Sequence, residues 1–285
     1  MSMSTKLRTN RPPVRADVVP LRHWGRGAFA AVVAIVVVVI ANSLATNPNI
    51  EWSVVGDYLF DDNILRGLRK TLEMTVLGTI FGTALAVAIA VMRLSPSKIV
   101  SGTAAAYAFF FRGIPLIVLL ILIGNLGLFF KNFTIAIPFT DITFWSRPVR
   151  EVMNPFRASV LGLSLAGSGY MSEIVRGGLL AVGRGQHEAA KAIGLTSGKT
   201  LRHIVLPQAL RVIVPPLGNE LISMLKASAI VSVIAGGDLL TVALGISGRN
   251  FRTIEMLLVA TIWYLLVIVV LSIGQYFVER KVAER

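Results

Sequence analysis

The chain of 285 residues is 54% hydrophobic and 15% charged, with mean hydropathy +0.72. A soluble domain carries about 25% charged residues, so this composition implies an integral membrane protein, with room for roughly five to seven helical spans of about 20 residues in one bundle without a second domain. The net charge of +13 comes with no basic patch interleaved with aromatics on a soluble segment, so nucleic acid is not expected as a partner, and the lack of cysteine excludes disulfides and thiolate metal sites.

Residues 1–27 carry Lys6, Arg8, Arg11, Arg15, Arg22 and Arg26 against Asp17, with Pro12 and Pro13. They read as a basic, mostly disordered cytoplasmic tail. Residues 28–45 form an extra first transmembrane helix: an apolar run rich in Val and Ile, closed by Asn42-Ser43-Leu44-Ala45. Ser43 and Ala45 also fit the small-residue rule for signal cleavage, but the leader is long for that, and an uncleaved span is the reading taken. Residues 46–70 hold Glu51, Asp57, Asp61 and Asp62, then Arg66, Arg69 and Lys70. Leu59, Phe60, Ile64, Leu65 and Leu68 recur there at helical spacing, which predicts an amphipathic helix in an extracytoplasmic, interfacial segment.

A core then runs over 71–280. Residues 74–92 are uncharged and form the second span, and Arg93 and Lys98 bracket a short return loop. Residues 99–130 are too long for one straight span. Arg112-Gly113-Ile114-Pro115 interrupts them, and proline removes a backbone donor, so a kink or break belongs there. Residues 131–157, with Pro138, Pro148 and Pro155, read as an extracytoplasmic loop. Span four starts at 158–172 and meets Glu173 and Arg176; span five covers 209–236 and contains Lys226. Gly236-Gly237-Asp238 opens an outer loop to Phe251, residues 256–278 form the last span, and 281–285 are a basic tail.

About six spans place both ends on one side. With the ends and the 93–98 and 176–211 segments inside, 17 Lys and Arg are cytoplasmic and 9 are outside. The positive-inside rule therefore puts both termini in the cytoplasm.

The segment 179–206 is polar and basic between apolar spans. It reads as a short helix, a break at Gly194, a second short helix capped by Thr196, and Pro207 opening the next long helix. Glu188 with Ala189 and Ala190 leaves a thin surface where another backbone can approach. Gly194-Leu195-Thr196-Ser197-Gly198-Lys199-Thr200 looks like a phosphate loop but is one residue short, and no buried strand precedes it, so ATP binding by this chain is rejected. His23, His187 and His203 are scattered, and no metal is assigned. No nucleophile–base–orienter set is found, and Lys226 and Ser228, at i and i+2, do not face each other on a helix.

Charges at membrane depth are costly and belong in a cavity or an interface. Arg112, Glu173, Glu220, Lys226 and, beside it, Ser228 are the candidates for a solute cavity. Arg112 either clamps carbonyls freed by the kink or meets a solute carboxylate. Glu173 and Arg176 pair at i, i+3 or snorkel to the inner interface. Lys226 faces the cavity or pairs with Glu220 or Glu173.

Glu188-Ala189-Ala190, three residues, Gly194, nine residues, then Ile204-x-Leu206-Pro207 resembles the signature of the membrane-spanning subunits of bacterial ATP-binding-cassette importers. Phe110-Phe111-Arg112-Gly113-Ile114-Pro115-Leu116 is similar to a stretch of the polar amino-acid permeases among them, with Ile114 in place of the usual Thr. Tyr170-x-x-Glu173-Ile174-x-Arg176-Gly177-Gly178 and Pro215-Pro216-Leu217-Gly218-Asn219-Glu220 also fit. The likeness covers about 65–280; Lys226-Ala227-Ser228-Ala229 departs from it.

This resemblance implies an all-α polytopic bundle of the type I importer permease kind. It implies a complex of two permeases, identical or related, two ATP-binding-cassette ATPase subunits and an extracytoplasmic solute-binding protein. ATP and Mg would sit on the ATPase partner and no cofactor on this chain, which would itself not be an enzyme. Glu188, Ala189, Ala190, Gly194, Ile204, Leu206 and Pro207 would form the coupling helix that docks on the ATPase. The alternative, an ion-gradient-driven secondary carrier of a small zwitterionic solute, would want inverted repeats with matched broken helices, and only the 112–115 break qualifies. An intramembrane enzyme is disfavoured by the missing catalytic set.

Overall fold

Apolar residues on every turn make the long helices of this chain, and carboxylate caps, prolines and glycines decide where they start and stop. The computed structural model describes residues 24–283 except 138, 139 and 141. Contacts divide the chain into two units, Met1–Ile50 and Glu51–Arg285. Most of the expected N-terminal tail, residues 1–23, lies outside the described residues.

In the first unit, α1 (Trp24–Ala45) starts four residues before the expected span. At 1.5 Å per residue its 22 residues reach about 33 Å, enough for a bilayer core. The Thr46 hydroxyl donates to the Asn42 carbonyl in the turn after it.

In the second unit, α2 (Trp52–Leu59) is short. The Asp61 side chain accepts from the Asn63 amide and starts α3 (Asp62–Arg93), 32 residues long. This corrects the expected boundary at 70/71. Residues 62–70 are the first turns of the span helix, because a carboxylate in extended backbone is a strong helix start. The helix α4 (Lys98–Gly113) ends where Pro115 holds Ile114 extended, at ψ 131. The following α5 (Leu116–Gly124) is bent from it by 99°, as the Arg112–Pro115 interruption predicts.

Next come α6 (Leu126–Phe129), the antiparallel hairpin β1 (Asn132–Ala136) and β2 (Thr143–Pro148), and α7 (Val149–Val152). The expected loop over 131–157 is therefore a hairpin and a helical turn. The central helix α8 (Pro155–Leu180) packs against α3, α4, α5 and, further along the chain, the helix after 206. Its buried face is built of small residues, among them Gly162, Ser164, Gly167, Ser168, Ser172 and Gly178. A Cβ on Gly162 would lie 2.7 Å from Leu120 Cδ2, and one on Gly178 would overlap Ile213 Cγ1. Such faces let helix backbones approach where lipid supplies no hydrophobic drive. The hydroxyls of Ser164, Ser168 and Ser172 donate to carbonyls of the preceding turn, so they are buried without loss.

The remaining elements are α9 (Arg184–Ala192), α10 (Ser197–Thr200), a π turn (Leu201–Val205), α11 (Leu206–Ala227), a 3-10 segment (Ser228–Ile234), α12 (Leu239–Asn250) and α13 (Thr253–Ala283). One expectation is corrected here. The outer loop placed at 236–251 is mostly the helix α12. Asp238 caps it, its carboxylate accepting from the Leu240 and Thr241 amides and the Thr241 hydroxyl. The basic tail at 281–285 is still helical to Ala283, with 284 and 285 outside the described residues.

Among the described residues, four helices are long and apolar enough to cross a membrane, or five if α4 and α5 are one broken span. The expected six requires α8 as well. Its 26 residues reach about 39 Å, but its small and polar residues face protein and lower its apolarity. One core cluster joins Val55, Ile64, Leu239 and Val259, and another joins Met74, Leu120, Leu163 and Met224.

Candidate functional site

Two places answer to the chemistry expected from the sequence: the loop between α8 and α11, and a cavity at the α4–α5 break.

The loop is organised by Gly194. Its φ is +78, a left-handed value that glycine takes without a Cβ penalty. The Gly194 amide donates to the Lys191 carbonyl and the Leu195 amide to the Ala190 carbonyl. Together these bonds satisfy the open carbonyls at the end of α9 in a Schellman motif. Glu188, Ala189 and Ile193 are exposed, Ile193 by 75%. Ala190 is only 1% exposed, so the thin surface expected of both alanines is corrected to Ala189 alone.

Beyond the glycine, Thr196 stands at the cap position with no side-chain cap bond. Its carbonyl accepts from the Thr200 amide and hydroxyl instead. The second short helix also does not stop. It passes through the π turn straight into α11, with the Leu206 amide bonded to the Leu201 carbonyl. Pro207 lacks the N–H that would continue the regular ladder, and the widened turn absorbs the defect. Leu206 and Pro207 are exposed, while Ile204 is half-buried. Sequence reasoning gave Gln208 no role of its own; its amide donates to the Ile204 carbonyl and lies 3.5 Å from Gln186 Oε1, linking α11 to α9. None was given to Ile193 either, the apolar residue just before the glycine.

The cavity, of about 490 Å³, is lined by Phe111, Arg112, Pro115, Tyr170, Glu220 and Met224 among others. The extended Ile114 and Pro115 open it, since a continuous helix would fill that space. The Arg112 guanidinium lies 5.7 Å from the Tyr170 ring centroid, and the Tyr170 hydroxyl donates to the Arg112 carbonyl. The pair holds the broken end of α4 against α8. Arg112 Nη1 is also 4.0 Å from Glu173 Oε1.

Glu173 is the electrostatic hub. Besides Arg112 it faces Arg93 at 3.5 Å and Arg176 at 2.7 Å. One carboxylate thus joins α3, α4 and α8, and two positive charges remain in excess beside the cavity. Arg93 was read from the sequence only as a loop bracket. Glu220, half-buried on the cavity wall, has no ion pair among the described residues.

Three of the expected cavity residues do not line it: Glu173 stands beside it in the ion-pair hub, and Lys226 and Ser228 lie elsewhere. Lys226 is exposed, lies one residue from the end of α11 and pairs with neither Glu220 nor Glu173. Ser228 is fully buried in the 3-10 segment, and its hydroxyl donates to the Leu225 carbonyl. Glu220, Ser223, Met224 and Ala227 form the wall face of α11, which leaves Lys226 on another face of the same helix, and Ser228 is drawn inward where the winding changes to 3-10.

Residues 78–284 match the family described as binding-protein-dependent transport system inner membrane component. The arginine transport system permease protein ArgU of Corynebacterium glutamicum is 38% identical over 94% of this chain and 83% of its own length. Such an alignment includes most of residues 1–50. The probable glutamine ABC transporter permease protein GlnM of Bacillus subtilis is 30% identical over 78% of this chain and 95% of its own. A solved amino acid ABC transporter with histidines superposes with TM-score 0.68 at 33% identity, covering 81% of this chain and 99% of that one.

Proposed function

This chain belongs to the family of binding-protein-dependent transport system inner membrane components, and we propose that it is the permease of an ATP-driven importer for a polar amino acid. The exposed, glycine-ended helix α9 carries this reading, because it presents Glu188 and Ala189 on a rigid hook that a separate motor can grip. The names of its relatives, which include arginine, glutamine and cystine systems, support the substrate class. Nothing favours the ion-gradient carrier.

In the assembled importer this chain pairs with a second permease, identical or related. It receives solute from an extracytoplasmic binding protein and docks on two ATPase subunits, which hold the ATP and Mg. Both termini and the 179–206 loop are cytoplasmic, in keeping with the lysine and arginine distribution, and α8 is the sixth span.

The mechanism is alternating access. ATP binding closes the ATPase pair and moves α9, and α9 carries α11 with it through Gln186, Gln208 and the unbroken helical path from Ser197. The cavity wall on α11, which bears Glu220, then shifts against the wall on α4 and α8, which bears Arg112 and Tyr170. A zwitterionic solute fits between a guanidinium and an unpaired carboxylate. Hydrolysis resets the walls.

The test is uptake into proteoliposomes holding the purified chain with its co-purified ATPase and binding protein. Arginine, glutamine or cystine uptake should require internal ATP and stop with vanadate. Uptake by the chain alone under an ion gradient would contradict the proposal.

A further inference from the structure

The β1–β2 hairpin has no counterpart in the importer's mechanism, yet its two faces differ in chemistry. The strands pair Phe133 with Arg147, Thr134 with Ser146, Ile135 with Trp145 and Ala136 with Thr143, leaving Phe144 as the extra residue of a bulge. Side chains alternate across a strand, so Phe133, Ile135, Trp145 and Arg147 share one face. Thr134 and Ser146 share the other, where their hydroxyl oxygens are 3.1 Å apart. Ile135 is 61% exposed. A lone two-stranded hairpin is marginally stable in water, so an apolar face of this kind needs a surface to bury it.

Two observations say which surface. The hairpin continues an apolar span: α5 leads into α6 and then β1, and Leu128, Phe129 and Phe130 are exposed on the way. The Val149 amide donates to the Lys131 carbonyl and closes the hairpin's base beside that span. Charge is the second observation. Residues 131–157 hold Lys131, Arg147, Arg150 and Arg157 against Asp141 and Glu151, a cationic surplus complementary to anionic headgroups. Aromatic rings flanked by lysine and arginine suit the boundary between headgroups and acyl chains.

We infer that the hairpin is a membrane-interface anchor, with Phe133, Ile135 and Trp145 in the boundary layer of an anionic phospholipid surface, Arg147 and Lys131 at the phosphates, and Thr134 and Ser146 facing water. It requires that α5 lie in a bilayer but not that the hairpin be on the outer side. It would brace α5, the second half of the broken α4–α5 pair, against the bilayer.

The chain lacks cysteine, so single-cysteine variants carry one label each. Ile135→Cys and Thr134→Cys, spin-labelled in the reconstituted transporter, would be compared for collision with oxygen, which concentrates in lipid, and with a nickel chelate, which stays in water. Phe133→Cys and Ser146→Cys form a second pair should one of the first fail to assemble. The label on the 133/135 face should favour oxygen several-fold in phosphatidylglycerol vesicles, and its neighbour should favour nickel. Phosphatidylcholine vesicles or Arg147→Glu should bring the first label toward water. Nickel access on both faces would overturn the inference by placing the hairpin in solvent. Protection of both faces from both reagents would overturn it in favour of a covering protein, either the binding protein or a second permease.

Discussion

Gly194→Val should cut ATP-driven uptake by about ten-fold or more while the chain still inserts and assembles. The space around Gly194 is open, since a Cβ there would meet nothing within 4 Å. The defect would therefore lie in the backbone. At φ +78 an L-residue pays roughly 1–2 kcal/mol, and a β-branched one sits worst. The chain relieves this by leaving the left-handed conformation, which breaks the paired bonds from Gly194 and Leu195 to Lys191 and Ala190. The exposed hook then points elsewhere, and the buried bundle is untouched. Gly198 is the control. It also has open space around it but no positive φ, so Gly198→Ala should change uptake less than two-fold. Reconstituted uptake at matched expression, read beside ATPase activity, separates the cases. Full uptake by Gly194→Val would remove the glycine from the coupling account.

The second large effect is expected at Glu173. Glu173→Ala leaves Arg93, Arg112 and Arg176 facing one another without their shared carboxylate. Removing one partner from a buried ion pair costs about 3–5 kcal/mol. Glu173 is a quarter exposed, so about 2–3 kcal/mol is expected here. A lowered thermal midpoint in detergent and loss of uptake should appear together, because the same carboxylate ties the broken end of α4 to α3 and α8. Arg176→Gln should be milder, since two arginines still neutralise Glu173. A midpoint for Glu173→Ala equal to the parent's would refute the hub.

Much of this was legible from residue order. Pro115 after Ile114 announces the bend between α4 and α5 because the residue before proline is steered out of the helical region. Gly194 announces the end of α9 because few other residues accept its backbone angles. Glu173 and Arg176, three apart, meet as helical spacing requires. What escaped depended on distance in space. Arg93 lies 80 residues from Glu173 and reads as a loop charge until α3 and α8 are packed together. Ala190 looks like its neighbour Ala189 until the fold of 179–206 turns it inward. Lys226 reads as mid-span because hydropathy runs on through Ile234, and only the packing of α11, which puts Glu220, Met224 and Ala227 on the cavity wall, shows that Lys226 is off it. The hairpin within 131–157 was hidden by prolines that read as loop, although Pro148 ends β2 and Pro155 starts α8.

The claim that α9 couples this chain to a separate ATPase is tested most directly by cross-linking from one introduced cysteine. Ala189→Cys in the otherwise cysteine-free chain, treated with a short heterobifunctional reagent in membranes of the native host, should yield an adduct with an ATPase subunit. Its yield should change when ATP and vanadate are added. Ala190→Cys, turned into the fold, should give little adduct. Active uptake by Ala189→Cys with no ATPase adduct under any nucleotide condition would contradict the account.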